Sequence, residues 1–194
     1  PPVYVVLSAV AFAKTHQIDG IIGFGGGSSM DVAKIIAFLS HPQQKQNLKD
    51  IYGVNQATGS RLPLIQIPTT AGTGSEVTAV AIVTTGETTK SGIVSPILYA
   101  DAAILDAELT LNLPAHITAA TGIDAMVHAI EAYTSKHKKN VYSGMLAKQA
   151  LNLLNQSLPI VLKEPKNLSA RQNMLIGAML AGQAYLLHRT GQSL

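Results

Sequence analysis

The sequence predicts an α/β region followed by an all-α region, and two observations carry this prediction. Up to about residue 110, short apolar runs typical of buried strands alternate with apolar stripes at helical spacing. From Leu111 onward, the patterned segments have helical spacing only. Apolar residues make up 47% of the 194 residues and charged residues 13%, so the chain has enough apolar surface for a folded core and is not a disordered segment.

The α/β region is predicted to begin with a helix over Val3–Gln17, where apolar residues recur three and four positions apart. Ile18–Phe24 has the apolar composition of a buried parallel strand. Helical spacing returns over Ser28–Leu39, which predicts a second helix. The segment His41–Ser60 is polar and is predicted to be a loop.

Further strands are predicted after this loop. Leu62–Ile67 has the pattern of a second buried strand, and we expect it to share a parallel sheet with Ile18–Phe24. Turn residues separate three further short strands, at Ala79–Val83, Gly92–Val94 and Ala103–Leu105.

The all-α region is predicted to contain three helices, at Ala115–Ser135, Val141–Ser157 and Ser169–Leu187. We place the boundary between the two regions near Asn112–Pro114. This gives a first domain over residues 1–112 and a second over residues 113–194.

Composition excludes several classes of function. The net charge is +3 and the basic residues are scattered, so we expect no nucleic-acid partner. The chain has no cysteine, which excludes disulfides and thiolate metal sites. Its longest apolar run is shorter than the roughly 20 residues of a membrane span and lacks the basic start of a signal peptide, so we expect a cytoplasmic protein without membrane contact.

A glycine cluster lies between the first predicted strand and the second helix. Backbone amides of such a turn, together with the N-terminus of the helix, can bind a phosphate. The segment Gly23–Ser28 has Ser28 where the G-x-G-x-x-G fingerprint has its third glycine, and it lacks the Gly-Lys of a P-loop. The spacing favours phosphate binding over the alternative, a tight turn in which Ser28 and Asp31 form a capping box.

A second turn, Pro68–Glu76, is rich in hydroxyl groups and small residues. It follows a predicted parallel strand at its carboxyl end, where α/β proteins bind ligands. Loops of this composition also cap their own backbone, and the residues alone leave both interpretations open.

Asp124 and His128 are four residues apart in the first helix of the all-α region, and so they share one helix face. A carboxylate and an imidazole together suit Fe²⁺, Zn²⁺ or Co²⁺ better than Mg²⁺ or Ca²⁺. For an isolated pair, a simple Asp–His hydrogen bond is the favoured alternative. A catalytic metal site also needs at least three protein ligands as a rule.

Three motifs in this order, GGGSSMDVAK, PTTAGTGSEV and GIDAMVHAIEAYTS, resemble the iron-dependent (group III) alcohol dehydrogenases. The similarity extends from the start of the chain to about Tyr185. It implies a Rossmann-like, parallel-sheet cofactor domain followed by a helical metal-binding domain, a dehydroquinate synthase-like architecture with the active site in the cleft between. The implied activity is hydride transfer between an alcohol or aldehyde and a nicotinamide cofactor, either NAD or NADP, and the resemblance is compatible with a homodimer.

The resemblance also implies roles for individual residues. Asp124 and His128 match the first two metal ligands of the family. The family is named for iron, so the implied metal is Fe²⁺, with Zn²⁺ or another divalent ion as an alternative. The positions that match cofactor-binding residues are Gly26, Gly27, Ser28, Thr69, Thr70, Thr78, Val80, Lys90 and Leu109.

The sequence departs from the family pattern at both ends. The family's early strand, with the acidic residue that binds the adenosine ribose, is expected before Pro1, and its last two metal-binding histidines are expected after Tyr185. The residues after Tyr185 do not follow the family pattern, so His188 is not assigned as a ligand. The alternative function is therefore a truncated, inactive fragment that retains at most weak nucleotide binding.

Overall fold

A computed structural model of the chain describes residues 1–136 and 139–190, without the side chains of 188–190. The described helices are α1 (Val3–Thr15), α2 (Gly27–Leu39), α3 (Ala115–Thr134), α4 (Val141–Lys163) and α5 (Leu168–Thr190). The described strands are β1 (Ile21–Gly25), β2 (Gly53–Val54), β3 (Leu64–Pro68), β4 (Val80–Thr84), β5 (Lys90–Val94) and β6 (Ala102–Ala103). The predicted order, α/β followed by all-α, is confirmed, while residues 191–194 of the atypical tail lie outside the described residues.

The chain forms two compact units. The first unit contains Pro1–Ile67 and Ala79–Ile104, and the second contains Pro68–Thr78 together with the chain from Leu105 onward. The division predicted near residue 112 did not anticipate that the segment after β3 belongs with the helices. The close packing of this segment on α3 and α5, described below, is the physical reason.

The first unit is built on a sheet of order β1-β3-β6. β3 and β6 are parallel, with Ile65 opposite Ala102 and Gln66 opposite Ala103. β1 is hydrogen-bonded beside β3, so the expectation that Ile18–Phe24 and Leu62–Ile67 share one sheet is confirmed.

Arg61 joins the start of β3 to the turn before β6. Its guanidinium donates two 2.8 Å hydrogen bonds to the carboxylate of Asp101, which also accepts the Leu64 amide at 2.7 Å. The hydrogen bonds from Arg61, followed by the one from Leu64, lower the pKa of Asp101 to about 2. The carboxylate is therefore ionised, and this pairing is intact, at neutral pH.

A second sheet has the order β2-β5-β4. β4 and β5 are antiparallel, so this second sheet is mixed, whereas β3 and β6 of the first sheet are parallel. Only residues 85–89 connect the two strands, which is long enough for a hairpin but too short for the crossover that a parallel pair needs. β2 pairs in parallel with β5, and it lies within the segment His41–Ser60 that the sequence predicted to be a loop.

The predicted loop also contains the 3₁₀ turn Leu48–Ile51. Leu48 and Ile51 are buried in the apolar core of the first unit, in the same cluster as Phe38 and Ile93. Two isolated apolar residues in a polar segment produce no detectable period, and this is why the sequence did not show the turn.

The second unit is a bundle of α3, α4 and α5 that packs through small side chains, which lets helix axes approach closely. α4 continues through Pro159 to Lys163, beyond its predicted end at Ser157. Burial of Leu158 and Val161 holds the helix together across the proline. The buried alanines of the bundle are Ala125, Ala129, Ala132, Ala147, Ala150, Ala170, Ala178, Ala181 and Ala184.

Among the described residues, no helix has both the length and the apolar character required to cross a membrane.

Candidate functional site

The glycine turn of the first unit lies between β1 and α2. Gly25 has a φ of +143°, a conformation that favours glycine. Gly26 is the N-cap of α2, with extended backbone and without a side-chain cap, and α2 begins at Gly27. The alternative capping box is not formed, because Ser28 lies inside the helix and is exposed, while the Asp31 carboxylate accepts the Ile82 amide of β4 at 3.0 Å.

Helix α2 is attached to β4 by two polar side chains from the same motif. The ammonium of Lys34 is fully buried, donates to the Val80 carbonyl at 2.7 Å and lies 3.8 Å from the Asp31 carboxylate. A buried cation is stable only when it is paired and hydrogen-bonded in this way. The structure therefore brings Val80 next to the helix that begins at the glycine turn.

Lys90 lies far from Val80 and from the end of β4 that is attached to α2. In the β4–β5 pair, Val80 faces Val94 and Thr84 faces Lys90, so Lys90 lies at the opposite end of the hairpin from Val80. Four residues of extended strand place the two positions about 13 Å apart. The Lys90 side chain is exposed.

The segment Pro68–Thr78, which contains the hydroxyl-rich turn Pro68–Glu76 and is called the threonine turn below, follows β3 and belongs to the second unit. Two of its hydroxyls act on the turn's own backbone, since the Thr73 hydroxyl accepts the Ser75 amide at 3.2 Å and the buried Thr78 hydroxyl donates to the Ser75 carbonyl at 3.4 Å. Thr69 and Thr70 are half-buried, and within the described part of the chain their hydroxyls make no hydrogen bond. The backbone-capping interpretation therefore holds for Thr73 and Thr78, whereas ligand binding by Thr69 and Thr70 stays a prediction.

Close backbone packing fixes the threonine turn on two helices. A Cβ added to Gly72 would lie 2.8 Å from the Thr121 Cβ of α3. A Cβ on Gly74, which has a φ of +62°, would lie 2.7 Å from the Cα of Gly182 in α5. Thr121 is three residues before Asp124 on α3, so the structure brings the threonine turn and the Asp–His helix together.

Asp124 and His128 lie on one face of α3. The Nε2 atom of His128 is 4.0 Å from the Asp124 carboxylate, which is longer than a hydrogen bond. The Asp124 side chain is 49% exposed and the His128 side chain 22%. The Nδ1 atom of His128 is buried and has no hydrogen-bond partner among the described residues. The simple hydrogen bond that the sequence favoured for this pair is therefore not formed.

The donor chemistry of this pair fits a divalent cation. Two donors bound to one tetrahedral ion are separated by about 3.4 Å, so a small side-chain rotation would bring both onto the same ion. No group of three or more His, Asp or Glu side chains able to hold a metal occurs within the described residues. These residues therefore supply two ligands, fewer than a complete site requires.

The remaining predicted cofactor residue, Leu109, lies in the 3₁₀ turn Ala107–Thr110, which packs against α5. Leu109 is half-buried. The Asp106 carboxylate caps this turn by accepting the Glu108 amide at 2.9 Å.

Helix α5 also contributes to the site, and this contribution was not predicted from the sequence. The ring of Tyr185 contacts the imidazole of His128, with centroids 4.8 Å apart and an angle of 39° between the planes. Gly182, which contacts the threonine turn, is three residues earlier and shares a helix face with Tyr185. The Gly182–Tyr185 spacing was visible in the sequence, but the groups that these residues contact were not.

Family comparison accounts for this set of motifs. Residues 1–107 match the model of the iron-containing alcohol dehydrogenases, and residues 118–192 match the model of the C-terminal domain of the Fe-containing alcohol dehydrogenase family. The chain therefore belongs to the iron-containing alcohol dehydrogenase family. The resemblance seen in the sequence is confirmed.

Individual relatives define the extent of the match. Long-chain-alcohol dehydrogenase 1 of Geobacillus thermodenitrificans is 41% identical over 186 residues, which are 95% of this chain and 47% of that protein. Sulfoacetaldehyde reductase of Bifidobacterium kashiwanohense, solved in complex with NAD⁺, has a TM-score of 0.88 at 37% identity and matches 96% of this chain and 50% of that one. The structure of a 1,3-propanediol oxidoreductase has a TM-score of 0.90 at 36% identity. The match covers 95% of this chain and 48% of that one. The chain spans about half the length of these relatives.

The Gly74–Gly182 contact predicts an unusual effect of a substitution in a helix. Gly182→Ala should lower the free energy of unfolding by about 1–3 kcal/mol, because the new methyl group would lie 2.8 Å from the Gly74 Cα. Helix propensity alone predicts the opposite sign, since alanine is the better helix former by about 1 kcal/mol. Urea unfolding followed by circular dichroism measures the change.

Gly144→Ala in α4 is the matched control for this substitution. The added methyl group would be 3.8 Å from its nearest neighbour, so the stability should stay constant or rise by up to about 1 kcal/mol. Equal effects of the two substitutions would contradict the close packing of α5 on the threonine turn.

Proposed function

We propose that the whole protein is a metal-dependent oxidoreductase that transfers a hydride between an alcohol or aldehyde and a nicotinamide cofactor. The observation that carries this proposal is the Asp124–His128 pair on α3, next to a threonine turn held at Gly72, in a chain of the iron-containing alcohol dehydrogenase family. The hydroxyls of Thr69 and Thr70, which make no hydrogen bond within the described residues, belong to the same compact unit as the two candidate metal ligands.

The glycine turn is proposed to bind the cofactor pyrophosphate. The first amides of α2 have no capping side chain at Gly26, and so they are available to an anion at the positive end of the helix dipole. Gly26 and Gly27 let the anion approach the backbone, and the exposed hydroxyl of Ser28 can add a hydrogen bond.

The other cofactor residues have weaker support. Thr69 and Thr70 offer free hydroxyls, whereas Thr78 is buried and Leu109 can contribute apolar contact. Val80 is supported by its attachment to α2 and Lys90 by family resemblance alone. NAD is favoured over NADP because a relative 37% identical to this chain was solved with NAD⁺.

Asp124 and His128 are proposed to hold the metal, with Fe²⁺ favoured by the family and Zn²⁺ as the alternative. A divalent ion bound there would supply Lewis-acid polarisation of the alcohol oxygen. The contribution of this chain is to place a carboxylate oxygen and an imidazole nitrogen on the same helix face, about one turn apart. Assembly as a homodimer and a cytoplasmic location remain part of the proposal.

A second candidate is that this chain by itself is inactive and binds nucleotide only weakly. It is favoured by the count of metal donors, since the described residues supply two. The two candidates differ in what the purified chain can do, whereas both assign the glycine turn to the cofactor.

Cofactor binding tests the glycine turn. Gly26→Val should weaken NADH binding at least tenfold, a loss of about 1.4 kcal/mol, because the side chain blocks close approach of the pyrophosphate to the backbone. Fluorescence titration measures the Kd. Gly20→Ala is the control, since its methyl group would lie 3.8 Å from the nearest atom, and it should bind like the wild type. Unchanged binding by folded Gly26→Val would contradict the assignment.

Metal retention and turnover separate the two candidates. With two donors from one helix, we expect the purified chain to bind Fe²⁺ or Zn²⁺ measurably but weakly, so that the ion is lost on dialysis, and to show little alcohol-dependent NAD(P)H formation. Elemental analysis and an absorbance assay measure these properties. Stoichiometric metal with steady turnover, lost in His128→Ala, would show that groups outside the described residues complete the site and would eliminate the inactive alternative.

A further inference from the structure

Helix α5 reaches the Asp–His pair through one aromatic side chain. The ring of Tyr185 lies 4.8 Å from the imidazole of His128, at an angle of 39°. Tyr185 is half-buried, and 22% of the His128 side chain is exposed, so both rings have limited freedom to move. The two side chains come from different helices of one compact unit.

The position of Tyr185 is itself fixed by packing. Gly182 lies one helical turn earlier and meets the backbone of Gly74 closely enough that neither glycine has space for a Cβ. Ala184 and Leu186, on either side of Tyr185 in sequence, are buried in the bundle. The backbone that carries the tyrosine ring therefore cannot shift without disrupting the core.

The imidazole of His128 gains an orientation from this contact. A histidine side chain rotates about two bonds, and a tyrosine ring with its centroid 4.8 Å from that of the imidazole restricts these rotations. In the orientation that remains, Nε2 faces the Asp124 carboxylate at 4.0 Å. A ligand that is already oriented loses less entropy on binding, and so it binds more tightly.

We propose that Tyr185 is a positioning residue for His128, and that its ring holds the imidazole so that Nε2 faces the Asp124 carboxylate for a divalent cation. This inference rests on the proposed metal site. The observed contact is between the two rings, which are tilted by 39° with their centroids 4.8 Å apart, and so the proposal assigns the positioning to the tyrosine ring. Substitution of Tyr185 by phenylalanine should therefore preserve the orientation of His128, whereas substitution by a flexible aliphatic side chain should not.

Zn²⁺ titration of the 194-residue chain by competition with a chromogenic chelator tests the proposal. Tyr185→Leu should raise the Zn²⁺ Kd about tenfold or more, the size of effect seen when groups that orient metal ligands are removed. Tyr185→Phe should stay close to the wild type. Tyr142→Leu is the matched control, because Tyr142 is exposed on α4, and it should also bind like the wild type.

A readout without metal tests the ring contact directly. In the metal-free chain, the ring protons of His128 should have ring-current-shifted NMR signals that persist in Tyr185→Phe and move in Tyr185→Leu. If Tyr185→Leu does not fold, Tyr185→Met, which is of similar length and flexible, replaces it in both measurements.

The outcomes separate this inference from the proposed function. If His128→Ala binds Zn²⁺ as tightly as the wild type, or the wild type does not bind it, the proposed metal site is wrong and the inference falls with it. If His128→Ala loses Zn²⁺ while folded Tyr185→Leu or Tyr185→Met keeps wild-type affinity, the metal site stands and the positioning role is overturned.

Discussion

The contact between Gly74 and Gly182 is the constraint on which the candidate site of the second unit depends. Each glycine occupies the space that a Cβ on the other would need, so the threonine turn and α5 meet backbone to backbone. Gly72 makes a similar approach to Thr121 of α3. Two helices therefore hold a segment that has little regular structure of its own, and the hydroxyls of Thr69 and Thr70 are presented from a rigid base.

In the first unit, charged side chains and not small residues attach the elements around the glycine turn to one another. The buried ammonium of Lys34 donates to the Val80 carbonyl, and Asp31 accepts the Ile82 amide. These two side chains attach β4 to α2, the helix whose N-terminus follows the glycine turn. Substitution of Lys34 or Asp31 is poorly tolerated, because removing one partner leaves a buried charged or polar group without compensation. The GGGSSMDVAK motif thus combines the candidate cofactor-binding turn with the residues that support it.

Much of the fold could be predicted from the sequence, because periodicity reports which face of a local element is buried. The helices and the shared sheet of β1 and β3 follow from it. Periodicity contains no information on which distant segments meet, and so it could not predict that Pro68–Thr78 joins the helical unit. It also failed at Pro159, where tertiary burial of neighbouring side chains outweighs the local tendency of proline to end a helix.

The residue types of the candidate site and their spacing could be predicted from the sequence, whereas the distances and contacts between the side chains could not. The i, i+4 spacing of Asp124 and His128 placed both on one face of α3, whereas their 4.0 Å separation and the contact with Tyr185 required the structure.

The threonine turn is held on α5 beside the candidate metal ligands, and the rest of the candidate site depends on this contact. Nuclear Overhauser effects between the Hα protons of Gly74 and Gly182 test it most directly. A strong cross-peak is predicted, because a Cβ on Gly182 would lie 2.8 Å from the Gly74 Cα, and its absence in an assigned spectrum of the folded chain would contradict the claim.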